Sequence, residues 1–198
     1  MSRKIIPITA TFQFPFGNQT GRVNAFLVVD GGKAVLVDTL VQGKEQDIEK
    51  ALQDAGLAWD AIGHIIITHA HPDHTGSLAA VLAHVPDAEV HAADSVGVPA
   101  TPARDGDVVA GLKVVEAPGH TPGSIALYDV ALSAMLLGDA AMNEGQLSGP
   151  PPMFSKDLAQ GMESLKKITQ FDFDQAFFGH GVPLDKDAST ELRQFAAS

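Results

Sequence analysis

Eight residues, Thr68-His-Ala-His-Pro-Asp-His-Thr75, constrain this chain more than any other stretch. The apolar run directly before them, 65–67, predicts a buried strand, and the residues after Ser77 follow a helical pattern. Folds that mix helices and sheets often place their chemistry on a loop that follows a core strand. The loop carries four side chains that are able to bind metal: His69, His71, Asp73 and His74.

Three later residues occupy the same kind of position in the sequence. His120, Asp139 and His180 each follow an apolar run and a glycine, a residue that lets backbones approach closely. If these strands lie side by side, the three side chains and the four on the central loop meet on one rim. The sequence therefore predicts one site built from seven metal-binding groups.

Two metal ions account for this number of groups. We expect each ion to keep an open position, which is typical of catalytic rather than structural sites. Imidazole and carboxylate ligands suit Zn2+, which is the expected metal, with Fe2+ and Mn2+ as alternatives. The first ion is assigned His69, His71 and His120; the second is assigned Asp73, His74 and His180; and Asp139 bridges both.

Composition narrows the class of protein. The formal net charge is −11 and the basic residues are scattered, so neither nucleic acid nor an anionic membrane is an expected partner. The chain has no cysteine, which excludes thiolate ligands for the metals. No run is long and apolar enough to span a membrane, and no signal peptide is visible, so we expect a cytoplasmic protein.

The order of predicted elements indicates an α/β (α+β) protein with two packed sheets and helices outside, in one domain of residues 1–198. Helical spacing of apolar residues predicts helices over 42–56, 78–85, 155–168 and 186–196. Residues 138–154 are predicted to form a long irregular connection. Asp38 ends a predicted strand and could reach a site, but a turn or cap role is favoured. Ser155 is interpreted as a helix cap, and His64, His84 and His91 are interpreted as structural.

These motifs resemble the metallo-β-lactamase-fold superfamily over essentially the whole chain. The resemblance rests on His69-x-His71-x-Asp73-His74, Gly119-His120-Thr-Pro-Gly123, Leu137-Gly-Asp139 and Gly179-His180-Gly181. It implies a four-layer αββα sandwich with two ions at one edge of the packed sheets. It also implies that the seven positions matching the motif are the metal ligands.

Within the superfamily, the pattern is most similar to the glyoxalase II and lactonase branch. The lack of cysteine separates the chain from β-lactamases that use a cysteine ligand, and Asp139 separates it from the cysteine-free ones. His71 stands where the iron-binding diflavin-type relatives have glutamate. The segment Asp139-Ala-Ala-Met-Asn143 does not contain the tyrosine of the quorum-quenching lactonases.

The expected reaction is hydrolysis of a thioester, lactone or ester by a hydroxide that bridges the two metals. Asp73 is the predicted catalytic residue, which orients the hydroxide and passes its proton to the leaving group. The substrate is expected to be a small, largely apolar or neutral molecule, and a homo-oligomer is left open. Candidate substrate contacts lie in two irregular segments: Phe14, Phe16, Met142, Met153 and Phe154.

Three other functions are compatible with the sequence. A persulfide dioxygenase of the same fold would use one iron, whereas a phosphodiesterase would use the same two ions. The basic clamp expected of a phosphodiesterase is not visible. A non-catalytic metal-binding module is disfavoured, because open coordination positions serve no structural purpose.

Overall fold

The structure is a computed structural model that describes residues 2–13 and 19–197. It divides into two compact units, Met1–Thr101 and Pro102–Ser198. Each unit contains a sheet, its own helices and its own hydrophobic core. The expectation of a single domain stays a prediction.

The first unit has helices between parallel strands. Its elements are β1 (Lys4–Gln13), β2 (Thr20–Asp30), β3 (Lys33–Val37), α1 (Glu45–Asp54), a 3-10 turn (Trp59–Ala61), β4 (Ile62–Ile67), α2 (Pro72–Thr75), α3 (Leu78–His84), β5 (Glu89–Ala92) and, at the boundary, β6 (Thr101–Pro102). The strand order is β1-β2-β3-β4-β5-β6.

Strands β1, β2 and β3 form an antiparallel meander, whereas β3, β4 and β5 are parallel. The tight turn between β2 and β3 contains Gly31 and Gly32, which have φ angles of 55° and 89°. Helices α1 and α3 cross over between the parallel strands. Ile48 and Leu52 of α1 and Val81 of α3 are fully buried in the core of this unit.

The second unit contains a mostly antiparallel sheet. Its elements are β7 (Val108–Val109), β8 (Leu112–Glu116), β9 (Ile125–Asp129), β10 (Ala134–Leu136), β11 (Met142–Asn143), β12 (Leu147–Ser148), α4 (Leu158–Ile168), β13 (Gln175–Phe177) and α5 (Ala188–Ala196). The strand order in the main sheet is β13-β10-β9-β8-β7, and β11 pairs with β12 separately. Leu165 of α4 and Leu192 of α5 are fully buried in its core.

The mixed α/β class is confirmed, but several local predictions differ from the structure. The connection over 138–154 contains the short strands β11 and β12 rather than being wholly irregular. Helix α4 begins at Leu158 and is capped by Asp157, whose side chain accepts a hydrogen bond from the Gln160 N–H, so Ser155 is not the cap. Across residues 2–13 and 19–197, none of the helices is long and apolar enough to cross a membrane.

Candidate metal centre

The central loop of the first unit starts where β4 ends. Thr68 follows the strand, and a single helical turn, α2, begins at Pro72 and carries Asp73 and His74. Proline is favoured at the first position of a helix because its missing N–H has no intrahelical partner there. The turn folds the loop tightly, so three imidazole rings come together. The ring centroid of His69 lies 4.8 Å from that of His71 and 4.1 Å from that of His74.

Asp38 lies beneath this loop and binds it at three points. It follows β3, which is parallel to β4, so both strands end at the same edge of the sheet. Its Oδ1 accepts a hydrogen bond from the Thr68 N–H at 2.8 Å. Its Oδ2 accepts from the Thr68 hydroxyl and contacts Nδ1 of His74, each at 2.8 Å. Asp38 therefore positions the loop, and the interpretation as a turn or cap residue missed this role.

The backbone of Asp38 has the left-handed conformation, with a φ of 60°. Aspartate tolerates this region better than most residues, although the conformation is uncommon outside glycine. Only 1% of Asp38 is exposed, so its charge is held in the interior by the hydrogen bonds that it accepts. Strain of this kind is often found at functional sites.

Hydrogen bonds fix the protons of two of the loop histidines. The Thr68 hydroxyl has one proton, which it donates to Asp38, so its oxygen accepts from Nδ1–H of His69 at 3.2 Å. The Asp38 carboxylate can only accept, so His74 also carries its proton on Nδ1. As a neutral imidazole, each ring then presents its lone pair at Nε2. Asp73 lies beside this atom in His74, with Oδ2 3.9 Å away.

The second unit brings His120, Asp139 and His180 to one edge of its sheet. Strand β9 is antiparallel to β8 and β10, and β13 is parallel to β10, so β8, β10 and β13 run in the same direction. Each of the three residues follows one of these strands. Oδ2 of Asp139 lies 3.3 Å from Nε2 of His120 and 3.3 Å from Nε2 of His180. The prediction that these strand ends converge is therefore correct within this unit.

Ser155 fixes the proton of His120. Its hydroxyl donates to the Pro151 carbonyl at 2.7 Å, so its oxygen accepts from Nδ1–H of His120 at 3.1 Å. The lone pair of His120 is therefore on Nε2, the atom that faces Asp139. Sequence reasoning missed this role for Ser155 because a serine before a helix resembles a cap.

The glycine before His120 permits a close backbone contact. Gly119 has a φ of 134°, and a Cβ atom at this position would collide with the backbone of Gly161 in α4. The backbone N–H groups of Lys156 and Asp157 also donate to the Gly119 carbonyl, at 3.1 and 2.9 Å. The start of α4 is thus joined directly to the residue before His120, which is the close backbone approach that the glycine predicts.

The predicted substrate contacts are spread over different environments. Met142 lies on β11 and is partly buried, whereas Met153 is 86% exposed and Phe154 is 49% exposed. Phe14 and Phe16 lie outside the described residues. The role of these five side chains stays a prediction.

The donor sets of both units fit divalent metals. Imidazole nitrogen and carboxylate oxygen are ligands for zinc, iron and manganese. Three histidines present Nε2 while a second side chain holds Nδ1, which is how metal-binding histidines are usually oriented. The supporting groups are Asp38 for His74, Thr68 for His69 and Ser155 for His120.

Comparison with known families supports this chemistry. The model of the metallo-beta-lactamase superfamily matches residues 19–111 and 103–180. A hydroxyacylglutathione hydrolase from Alkalilimnicola ehrlichii is 40% identical, over 87% of this chain and 72% of its own length. A second one, from Cupriavidus taiwanensis, is 34% identical over 70% of this chain and 55% of its length. A thioesterase from Emericella nidulans is 28% identical over 84% of this chain and 48% of its length.

Solved structures share the fold. A metallo-beta-lactamase from Pseudomonas aeruginosa in a mono-zinc form has a TM-score of 0.77 and 20% identity, over 100% of this chain and 96% of its own. A protein in a di-iron-bound form, TTHA1623, has a TM-score of 0.72 and 24% identity, over 93% of this chain and 99% of its own. The chain spans about half the length of two of the three curated relatives named above.

Proposed function

Because this chain belongs to the metallo-beta-lactamase superfamily, we propose that it is a dinuclear metal-dependent hydrolase that cleaves a thioester, lactone or ester bond. The observation that carries this proposal is that Nδ1 of His69, His74 and His120 each lies within hydrogen-bond distance of a hydroxyl or carboxylate oxygen. In each, a hydroxyl or carboxylate accepts the Nδ1 proton and leaves the Nε2 lone pair for a ligand bond. Two of these supporting groups, Asp38 and Ser155, are more than thirty residues distant in sequence from the histidines that they hold.

The proposed centre uses the seven residues that match the motifs of the superfamily. All seven lie within the segments that the family model matches, 19–111 and 103–180, which supports assigning them to one centre. The carboxylate of Asp139, already beside two imidazoles, is the proposed bridge. One ion is assigned to His69, His71 and His120, and the other to Asp73, His74 and His180.

When bound, two divalent ions polarise a carbonyl and lower the pKa of water enough to provide a nucleophile near neutral pH. The side chains of the protein supply orientation and proton transfer. Asp38, Thr68 and Ser155 hold three imidazoles in place. Asp73, which is 22% exposed at its side chain, is proposed to orient the attacking water and to carry its proton on Oδ2 to the leaving group.

A thioester is the preferred substrate class. The support comes from relatives that are named hydroxyacylglutathione hydrolase and thioesterase. Zn2+ is the proposed metal. Met142, Met153 and Phe154, together with Phe14 and Phe16, are the proposed apolar contacts for a small substrate.

A substrate panel tests this proposal. Thioesters, lactones, aryl esters, phosphodiesters, β-lactams and persulfides are offered to protein whose metal content has been measured, with oxygen consumption followed in parallel. We expect carbonyl hydrolysis that scales with metal content. Hydrolysis of only the phosphodiester, or persulfide-dependent oxygen uptake with one iron per chain, would contradict the proposal.

Ligand variants provide the second arm of the test. His71→Ala and Asp139→Ala should each lose metal and at least about a hundredfold in activity, because even outer-shell changes cost 10–100-fold. Their circular dichroism should stay close to that of the wild type. His84→Ala is the matched control, since His84 stacks on Trp59 with ring centroids 4.5 Å apart and is not among the proposed ligands.

A further inference from the structure

A second group of metal-binding side chains lies on the sheet of the first unit. Strands β4 and β5 pair in parallel with His64 opposite Glu89, and His91 follows Glu89 by two residues on the same face. Nδ1 of His64 lies 3.2 Å from Nε2 of His91. Oε2 of Glu89 lies 3.7 Å from that His64 atom and 3.5 Å from that His91 atom. Three donor atoms on two strands therefore form a small triangle.

The size of this triangle matches a metal site. Zinc bonds to nitrogen and oxygen are about 2.0–2.2 Å long, which places the donors of a tetrahedral site about 3.3 Å apart. The three separations of 3.2, 3.5 and 3.7 Å bracket that value. A hydrogen bond between the two imidazoles would account for the 3.2 Å contact alone and not for the two contacts of Glu89. Two histidines and one glutamate are also a known donor set for zinc.

The environment favours the metal-binding form of the inner histidine. His91 is 7% exposed, and this burial, followed by the neighbouring His64, lowers its pKa. The lowered pKa favours the neutral imidazole, which is the form that binds a metal. The side chains of His64 and Glu89 are 36% and 65% exposed, so an ion here would have solvent access for a fourth ligand.

This group is separate from the central loop. His64 lies near the start of β4, and His69 follows the end of the strand five residues later. At about 3.3 Å per residue, the two histidines are roughly 15 Å apart. The sequence interpretation of His64 and His91 as structural could not detect the group, because it depends on the register between β4 and β5.

We propose that His64, Glu89 and His91 form an additional binding site for a divalent cation of the zinc type. The bound ion joins the start of β4 to β5 and so stabilises the strand that carries the central loop. Such an ion binds the folded state more tightly than the unfolded chain, so the melting temperature rises as the free ion concentration increases.

Zinc uptake by single variants tests the site. The wild type, His64→Gln and Glu89→Gln are purified with their resident metal, equilibrated with increasing Zn2+, separated from free ion and analysed for metal per chain. We expect the wild type to hold one more Zn2+ per chain than either variant. Added Zn2+ should raise the melting temperature of the wild type by more than that of the variants.

His84→Gln is the matched control, because it removes an imidazole outside the triangle. It should take up as much Zn2+ as the wild type. Equal uptake by the wild type and His64→Gln, or a control that loses the same ion, would overturn the proposal. Hydrolytic activity at resident metal should be unchanged in all variants, so this result is independent of the proposed reaction.

Discussion

Nδ1 of His74 lies 2.8 Å from Oδ2 of Asp38, and both side chains are almost completely buried. This pair joins the connection after β3 to the single turn of helix after β4. The backbone supports the same junction, since the Thr39 N–H and hydroxyl both donate to the His74 carbonyl, at 2.7 and 3.0 Å. Asp38 therefore controls both the position and the proton of a proposed ligand.

Replacing Asp38 by asparagine should weaken metal binding about 10–100-fold, the usual effect of losing an outer-shell partner. Asparagine fits the left-handed backbone, but it loses the charge that holds the Nδ1 proton of His74. Competition with a chromophoric chelator measures the affinity, and nitrogen NMR of the metal-free protein reports the histidine tautomer.

The control for this prediction is Asp54→Asn. Asp54 is an exposed residue of α1 that pairs with Lys50 at 2.6 Å and has no part in the loop. The Asp54→Asn variant should bind metal as tightly as the wild type. An Asp38→Asn protein with unchanged affinity, or a wild-type His74 protonated on Nε2, would show that Asp38 does not set the tautomer.

Ser155→Ala should weaken metal binding by at least about tenfold, because His120 loses the acceptor for its Nδ1 proton. Ser155→Thr keeps the hydroxyl and should restore most of the affinity. Ser164→Ala is a matched control, since Ser164 also donates to a proline carbonyl, that of Pro118, at 2.6 Å. Both alanine variants should lose about 1 kcal/mol of stability, but only Ser155→Ala should lose metal. Equal metal affinity in Ser155→Ala and Ser164→Ala would show that Ser155 does not hold His120 in its metal-binding form.

Gly119→Ala should be strongly destabilising. The positive φ of 134° and the collision with Gly161 act together, so we expect a loss of about 2–5 kcal/mol in the free energy of unfolding. Gly106→Ala separates the two effects, because Gly106 has a φ of 86° and open space around its Cβ position. It should lose about 1–2 kcal/mol. Urea unfolding with a chelator present measures both, and similar losses would mean that the close approach is unimportant.

The ion pair of Asp105 and Lys167 should make stability depend on acid pH. The hydrogen bond from Lys167 at 2.7 Å is the main reason that the pKa of Asp105 is lowered. A lowered folded-state pKa means that the unfolded chain takes up the proton first as pH falls. The stabilisation is thus present above the ordinary pKa of 3.8 and is lost as pH falls through the lowered value.

Thermal unfolding of chelator-treated protein checks this expectation. Asp105→Asn should lower stability at pH 7 by less than about 1 kcal/mol, because the pair is exposed, and this loss should shrink as the pH falls below the ordinary pKa of 3.8. When Lys167 is already replaced by methionine, the loss of stability that Asp105→Asn causes at pH 7 should be smaller. In a Lys166→Met background it should persist, since Lys166 pairs with Glu163 instead. A pH-independent effect would contradict the linkage.

The sequence indicates candidate ligands, but it does not indicate the side chains that hold them in place. His120, Asp139 and His180 could be identified because each follows an apolar run and a glycine in the sequence itself. Asp38 could not be assigned a role, because its partner His74 is 36 residues away and its local pattern also fits a turn. In the sequence, Ser155 resembles a helix cap because Asp157, the actual cap, lies only two residues later.

Strand register accounts for most of what the sequence could not show. The triangle of His64, Glu89 and His91 exists only because β4 and β5 pair with His64 opposite Glu89. A shift by one residue would turn His91 to the opposite face. Strands β11 and β12 have two residues each, too short to leave a periodic pattern in the sequence.

Anomalous diffraction from crystals of catalytically active protein tests the dinuclear centre most directly. We predict two metal peaks, one contacting His69, His71 and His120 and the other contacting Asp73, His74 and His180, with Asp139 contacting both. A single iron in active protein, or hydrolysis by protein with no metal at these seven residues, would contradict it.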